Sequence, residues 1–518
     1  MYDSPQHDMG YDISNYESVY PPYGTVADIE TIIAACHSRG MKLVLDLVVN
    51  HTSDEHAWFE ESKSSKENPK RDWYIWRPAR YVEGKRTPPT NWRSWFSGST
   101  WTWDETTQEY YLHLFAEKQP DLNWENPETR RAIYDSAMEF WLKKGVDGFR
   151  VDTVNMYSKG TDWKDAPIVD KDVFEQPAFN LFCNGPRIHE FLREMNNQVL
   201  NIYDAVTIGE LPATPDPAHV LRYIGKSDKQ LSMVFQFDIV DLGVGKNQKY
   251  EYQGFTLSDF KIVINKWQTF IHNTDGWTTV FCENHDQGRA VSRYANDAPE
   301  WREKSAKMLA LAFCAMTGTL FIYQGQEIGA INVPREWGIE SYQDIEGVNY
   351  YKSVAAKSND DATALNKVMD SLNTIGRDNA RVPMQWDDSR HAGFTTKEEG
   401  PWMRVNDSYR EINVASQEMD PKSVLNFYRK MLKMRKDRRE LFVYGLFEGK
   451  NLGNEETFVF TKTAGGEKVV VALNFTPDKQ SWGMEEFGDL QLLVGSIGND
   501  IGDDSMLSGY EGRIYLVK

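Results

Sequence analysis

Gly145-Val146-Asp147-Gly148-Phe149-Arg150-Val151-Asp152-Thr153-Val154 places charged side chains at the end of an apolar run. Gly145 closes a helical pattern, and residues 148–152 read as a short buried strand. Arg150 and Asp152 are two apart, so on a strand they share one face. Alone, such a pair could be a buried ion pair that only fixes packing. Two other runs have the same form, Thr207-Ile208-Gly209-Glu210 and Phe281-Cys282-Glu283-Asn284-His285-Asp286, each ending in a carboxylate.

Working outward, each of these strands follows a helix. Asn126-Pro127 starts one in the favoured way, with Ile133, Ala137, Phe140 and Trp141 as its inner stripe. Residues 187–200 are expected to be helical before a strand at 205–210, and 233–238 reads as a further strand. Helices at 257–272 and 301–316 lead to strands at 277–286 and 319–326. Upstream, Thr25 caps a helix carrying Ile29, Ile32, Ile33 and Cys36, which Gly40 ends. Residues 41–49 are a nearly continuous apolar strand ending in Asn50-His51. Alternating helices and buried strands, with polar residues at the strand ends, predict a (β/α) barrel whose site lies at the C-terminal strand ends.

The rest of the chain departs from that alternation. Residues 1–24 are polar and turn-rich, without a helix or strand pattern. Residues 52–131 hold eight of the seventeen tryptophans and read as an inserted subdomain. Its aromatic faces could stack on sugar rings, but most are expected to build a small irregular core. A long polar insertion spans about 331–385, and a helix is expected at 422–436. From about 441 the period changes to two, with a Gly465-Gly466 turn between strands at 457–461 and 469–475 and a last strand at 514–517. The expected organisation is a barrel formed by 1–51 and 132–440, an inserted subdomain at 52–131, and a C-terminal antiparallel β-sandwich domain at 441–518.

Composition narrows the function. The 518 residues are 40% hydrophobic and 26% charged, with a net charge of −19. That charge argues against nucleic acid and anionic membrane surfaces as partners. No apolar run reaches the ~18 residues of a membrane helix, and the first residues do not read as a signal peptide. The four cysteines lack metal-ligand spacing and read as reduced core residues of a cytoplasmic protein, expected to be a monomer without cofactor or metal. Three acids at three strand ends suit glycosidic bond cleavage with retention. That reaction takes a nucleophile and a proton donor about 5–5.5 Å apart, and a third carboxylate can stabilise a cationic transition state.

These residues also carry a resemblance. Asp46-Leu47-Val48-Val49-Asn50-His51, Gly148-Phe149-Arg150-Val151-Asp152, Thr207-Ile208-Gly209-Glu210 and Glu283-Asn284-His285-Asp286 resemble the four signature regions of the α-amylase family of glycoside hydrolases. Gln119-Pro120-Asp121-Leu122-Asn123-Trp124, Arg377-Asp378-Asn379-Ala380-Arg381 and Pro383-Met384-Gln385-Trp386 are similar to its oligo-1,6-glucosidase/α-glucosidase branch, with fungal maltases and isomaltases nearest. The likeness covers residues 2–518.

The resemblance implies a (β/α)8 TIM barrel and a role for each matched residue. Asp152 would be the nucleophile, Glu210 the general acid/base and Asp286 the transition-state stabiliser. Arg150 would hold Asp152 ionised, while His51 and His285 would bind hydroxyls of the −1 glucose. Asp8 and Arg377 match a pair that grips the non-reducing end, with Arg381 in the same substrate-binding set, and Tyr11 and Phe115 would pack on that sugar. Thr153 stands where the branch tends to carry Thr or Ala for α-1,4 preference and Val for α-1,6. The implied activity is therefore an exo-acting α-glucosidase preferring maltose and short α-glucosides, with isomaltase as the alternative.

Departures from the pattern accompany these matches. Pro212 and Ala213 replace a frequent Gln-His pair, which bears on acceptor preference. Relatives also place a strand, its helix and a second strand before Ser4-Pro5. Six barrel strands are therefore expected, with the first two missing, and an inactive fragment is a further alternative. A transporter-associated, non-catalytic relative is disfavoured, because all three acids are retained and no membrane helix is evident.

Overall fold

Six short parallel strands lie among the residues described, 1–498 and 503–518 of a computed structural model. They fall in two compact units, one of Met1–Phe237 with Thr274–Trp277, the other of Asp238–Asn273 with Thr278–Lys518.

In the first unit four strands form a parallel sheet in the order Met233–Gln236, Val206–Leu211, Gly148–Val151, Val44–Leu47. Phe149, Val151, Leu47 and Leu211 are buried, as apolar strands covered on both faces should be. Register then sets the site. Asp46 lies opposite Arg150, and Arg150 opposite Ile208. Continuing the second pairing by two residues brings Asp152 level with Glu210. Gly148 is required by close approach, since a Cβ there would lie 2.0 Å from the Val206 carbonyl oxygen.

The helices of this unit begin where capping chemistry put them. Thr25 and Asp28 form a reciprocal capping box at the start of Val26–His37. Asn126 caps Pro127–Ile133, whose path continues through a π turn, Tyr134–Glu139, to Phe140–Leu142. Ile188–Met195 likewise runs into a π turn that ends at Leu200.

The N-terminal segment differs from the expectation. Tyr2–Asp3 and Asn15–Val19 pair antiparallel, and Tyr16 donates to the Val48 carbonyl at 2.9 Å. Two and five residues are too few to show a period of two, so nothing local announced them. Residues 52–131 form a helix, Ala57–Ser64, and an antiparallel sheet of Trp76–Arg77, Glu109–Leu112 and Trp101–Asp104. Of the eight tryptophans, Trp76, Trp92, Trp101 and Trp124 are buried and the other four half-buried.

In the second unit Thr279–Val280 and Thr319–Leu320 pair in parallel. Both strands are shorter than expected. Past Val280 the Asn284 side chain accepts from the Asp286 N–H, at 2.8 Å, taking it from any ladder. Past Leu320, Gly325 turns left-handed and opens a 3-10 turn at Gln326–Ile328. Helices Leu257–Thr269, Arg302–Cys314 and Val424–Asp437 stand close to their expected positions.

The segment expected as a polar insertion contains helices Ile345–Ser358 and Ala362–Ile375 and a short one at Asp378–Arg381. Its inner stripe is thin: Val368, Leu372 and Ile375 are buried in the second helix. The C-terminal part is a five-stranded antiparallel sheet containing the hairpin Thr457–Ala464/Glu467–Asn474 and the strand Gly512–Val517. Trp482 and Leu507 pack with Val459, Val470 and Tyr515 on this sheet.

Candidate active site

The first unit holds eight of the twelve expected residues, Arg150 among them. Arg150 Nη1 donates to Asp152 Oδ1 at 2.6 Å and to Asp46 Oδ1 at 3.0 Å, and its Nη2 lies 2.8 Å from Glu210 Oε1. Three carboxylates on neighbouring strands therefore share one cation that cannot lose its charge near neutral pH. Burial pushes the Asp152 carboxyl above its ordinary range. Arg150 opposes that shift, Asp46 adds to it, and hydrogen bonds from Glu210 and Arg150 pull it back down. Arg150 was expected to hold Asp152 ionised; it pulls in that direction, but desolvation pulls harder the other way.

Thr153 links the two acids. Its backbone is left-handed, at φ 37° and ψ 45°, a conformation β-branched residues rarely adopt. The turn aims the Thr153 N–H at Glu210 Oε2, 3.1 Å away, while the hydroxyl donates to Asp152 Oδ2 at 3.2 Å. Beyond Glu210, the Pro212 carbonyl accepts from Asn155 Nδ2 at 2.7 Å, and Ala213 is itself left-handed, at φ 50°.

The remaining residues of this unit are linked to one another. His51 Nδ1 accepts from Asn50 Nδ2 at 3.3 Å, so Nε2 donates to the Tyr11 carbonyl at 3.0 Å. Burial pushes the imidazole below its ordinary value despite the pull of Asp121 and Asp8. Its ring lies 5.1 Å from that of Phe115, and the Arg150 guanidinium stands 5.9 Å from the Tyr11 ring. Asp8 accepts from Gln119 Nε2 at 3.1 Å. Lys159, whose side chain is 4% exposed, lies 2.9 Å from the Asp121 carboxylate and donates to Asn50 Oδ1 at 3.1 Å.

The second unit gathers the other four. Arg377 Nε donates to Asp286 Oδ1 at 2.9 Å, and Arg381 Nη2 donates to the same oxygen. His285 Nε2 is 3.5 Å from that oxygen, and the His285 carbonyl accepts from Arg381 Nε at 2.9 Å. Burial acts to raise the Asp286 carboxyl, but Arg377, His285 and Arg381 outweigh it and hold the group well below the usual carboxylate range.

Four contributors were not singled out from the sequence: Asp46, Gln119, Lys159 and Asp344. Asp46 and Gln119 lay inside quoted motifs, where the signal was available. Asp344 did not, and its position between Arg377 and Arg381 is 3.3 Å and 3.0 Å from their Nη1 atoms.

In the first unit, a buried arginine serves two strand-end acids that a left-handed turn joins; in the second, Asp286 is held by two arginines. The α-amylase catalytic domain matches residues 1–445, and the chain belongs to the α-amylase family, whose catalytic domain is a (β/α)8 barrel. It is 51% identical to an α-glucosidase of Candida albicans, over 100% of this chain and 90% of that one. It is 44% identical to an oligo-1,6-glucosidase of Saccharomyces cerevisiae, with the same coverage of 100% and 90%. Among solved structures, trehalose-6-phosphate hydrolase of Bacillus licheniformis superposes with a TM-score of 0.90 at 37% identity, covering 100% of this chain and 91% of that one. Isomaltulose synthase of Protaminobacter rubrum gives 0.91 at 36%, covering 100% and 90%.

Proposed function

We propose that the protein is a retaining, exo-acting α-glucosidase that releases glucose from the non-reducing end of maltose and short α-1,4-glucosides. The observation that carries this reading is the Arg150 guanidinium held between Asp152 and Glu210. In this reading Asp152 attacks the anomeric carbon while Glu210 gives its proton to the departing glycosidic oxygen. The resulting glucosyl ester on Asp152 is then hydrolysed by a water that Glu210 deprotonates. Both steps pass through an oxocarbenium-like state, which the ionised Asp286 stabilises electrostatically.

The other expected residues supply recognition. Asp8, Tyr11, His51 and Phe115 are assigned to the −1 glucose, together with His285, Arg377 and Arg381. The neutral His51 offers hydrogen bonds without adding a charge beside the acids. Thr153 favours α-1,4 over α-1,6 bonds in this reading, since its hydroxyl keeps the ground beside Asp152 polar. The relatives named as α-glucosidases support the glucose specificity, and those named as oligo-1,6-glucosidases mark isomaltose as the competing substrate.

Hydrolysis of p-nitrophenyl α-D-glucoside by the purified chain tests the proposal. Release of p-nitrophenol that is lost in Glu210→Gln supports it. No release from a folded wild-type protein refutes it.

A further inference from the structure

Asp344 has one carboxylate and two separate tasks. Oδ1 accepts from the Glu346 and Gly347 N–H groups, at 3.1 and 3.3 Å, and so caps the helix Ile345–Ser358. Oδ2 instead meets Arg381 Nη1 at 3.0 Å and Arg377 Nη1 at 3.3 Å. These are the two arginines whose other nitrogens hold Asp286 Oδ1. The result is a closed square of two guanidiniums and two carboxylates.

The charges show why the second task matters. Both arginine side chains are nearly buried, at 6% and 7% exposure, and Asp344 is buried to 1%. Asp286 and Asp344 set two carboxylates against these two guanidiniums, the kind of pairing that buried charges need. Asp344 supplies one of these carboxylates and holds the Nη1 edge of each planar fork. Its own backbone is fixed too, for the Asp344 N–H donates to Asp378 Oδ1 at 3.1 Å. With Nη1 of each arginine on Asp344, Arg377 Nε and Arg381 Nη2 face Asp286.

We propose that Asp344 is a positioning residue, which sets Arg377 and Arg381 so that they hold Asp286 ionised and oriented. Its effect on turnover rests on the α-glucosidase reading, whereas its effect on the arginines does not. Nothing in the surrounding sequence marks it, because a cap alone would explain an Asp before this helix.

Substitution separates the two tasks. Asn and Ser cap a helix about as well as Asp, but neither carries the charge. For Asp344→Asn the expected result is a folded protein with a cooperative melt, and kcat/KM on p-nitrophenyl α-glucoside reduced by about 10²-fold, the scale of a misplaced reacting geometry. Asp344→Ser should show the same loss. If Asp344 were only a cap, both variants would keep wild-type kcat and KM, and that result overturns the proposal. Failure of both variants to fold also counts against it, since in each the cap is preserved and Asp286 still faces both arginines.

A crystal structure of Asp344→Asn gives a readout independent of activity. Arg377 Nε or Arg381 Nη2 should have left hydrogen-bond distance of Asp286 Oδ1. Both arginines unmoved overturns the proposal, while an inactive wild type with displaced arginines in the variant would refute the α-glucosidase reading alone.

Discussion

Arg150 donates to Asp152 at 2.6 Å from the same nitrogen, Nη1, that also serves Asp46. Its other terminal nitrogen faces Glu210. One residue is therefore the shared cationic partner of Asp46, Asp152 and Glu210. The arrangement follows from register, because Asp46 and Arg150 are cross-strand partners and Asp152 is two residues further on.

Removing that cation should destabilise the fold as well as abolish turnover. In Arg150→Met, Asp152 and Glu210 keep their burial and lose their counterion, a change worth about 3–5 kcal/mol for buried pairs. Urea unfolding should show the deficit at pH 7. The deficit should shrink on acidification, since protonation removes the unpaired charges. A variant as stable as wild type at pH 7 would show that the acids are neutral in the native state.

Thr153→Val tests linkage preference. Valine keeps the shape of threonine and removes the hydroxyl that donates to Asp152 Oδ2. A net hydrogen bond is worth about 1 kcal/mol, or roughly fivefold, so isomaltose turnover relative to maltose should rise by about that factor. Competition kinetics on the two disaccharides would measure it. An unchanged ratio would remove Thr153 from the specificity determinants.

Much of the fold was legible because strand-end acids and helix caps are local signals. Thr25 and Asn126 cap helices through side chains two or three residues from the groups they satisfy. What was not legible is long-range. Gln119 reaches Asp8 across 111 residues, and Asp344 reaches Arg381 across 37. Asp344 is one of 77 acidic residues, and only folding distinguishes it from a surface carboxylate. The two helices of the segment after Gln326 were hidden by their polarity, since half-exposed helices show too thin an apolar stripe to stand out.

Glu283 should give the stability curve a recognisable slope. Burial, opposed by Arg289, pushes its carboxyl from 4.5 up to about 7. Between those values the folded protein holds a proton that the unfolded chain releases. Its contribution to stability is complete below about pH 4.5 and declines as pH rises toward about 7. Glu283→Gln retains an oxygen for the Ala290 N–H, which the native carboxylate accepts at 2.5 Å. Melting temperatures of the two proteins should therefore converge or cross in favour of the variant between pH 5 and 7, in line with the direction of that titration. Parallel curves across this range would contradict the assignment of the proton to Glu283.

The central claim is double displacement through Asp152, and the anomer of the first glucose released tests it most directly. Maltose hydrolysis by the wild-type protein, followed by proton NMR faster than mutarotation, should show α-glucose from the non-reducing end appearing first. Asp152→Asn, which keeps the side chain's size but not its nucleophilic oxygen, should reduce that rate by about 10⁴-fold or more with little change in melting temperature. Initial release of the β-anomer, or near-normal turnover by Asp152→Asn, would contradict the account.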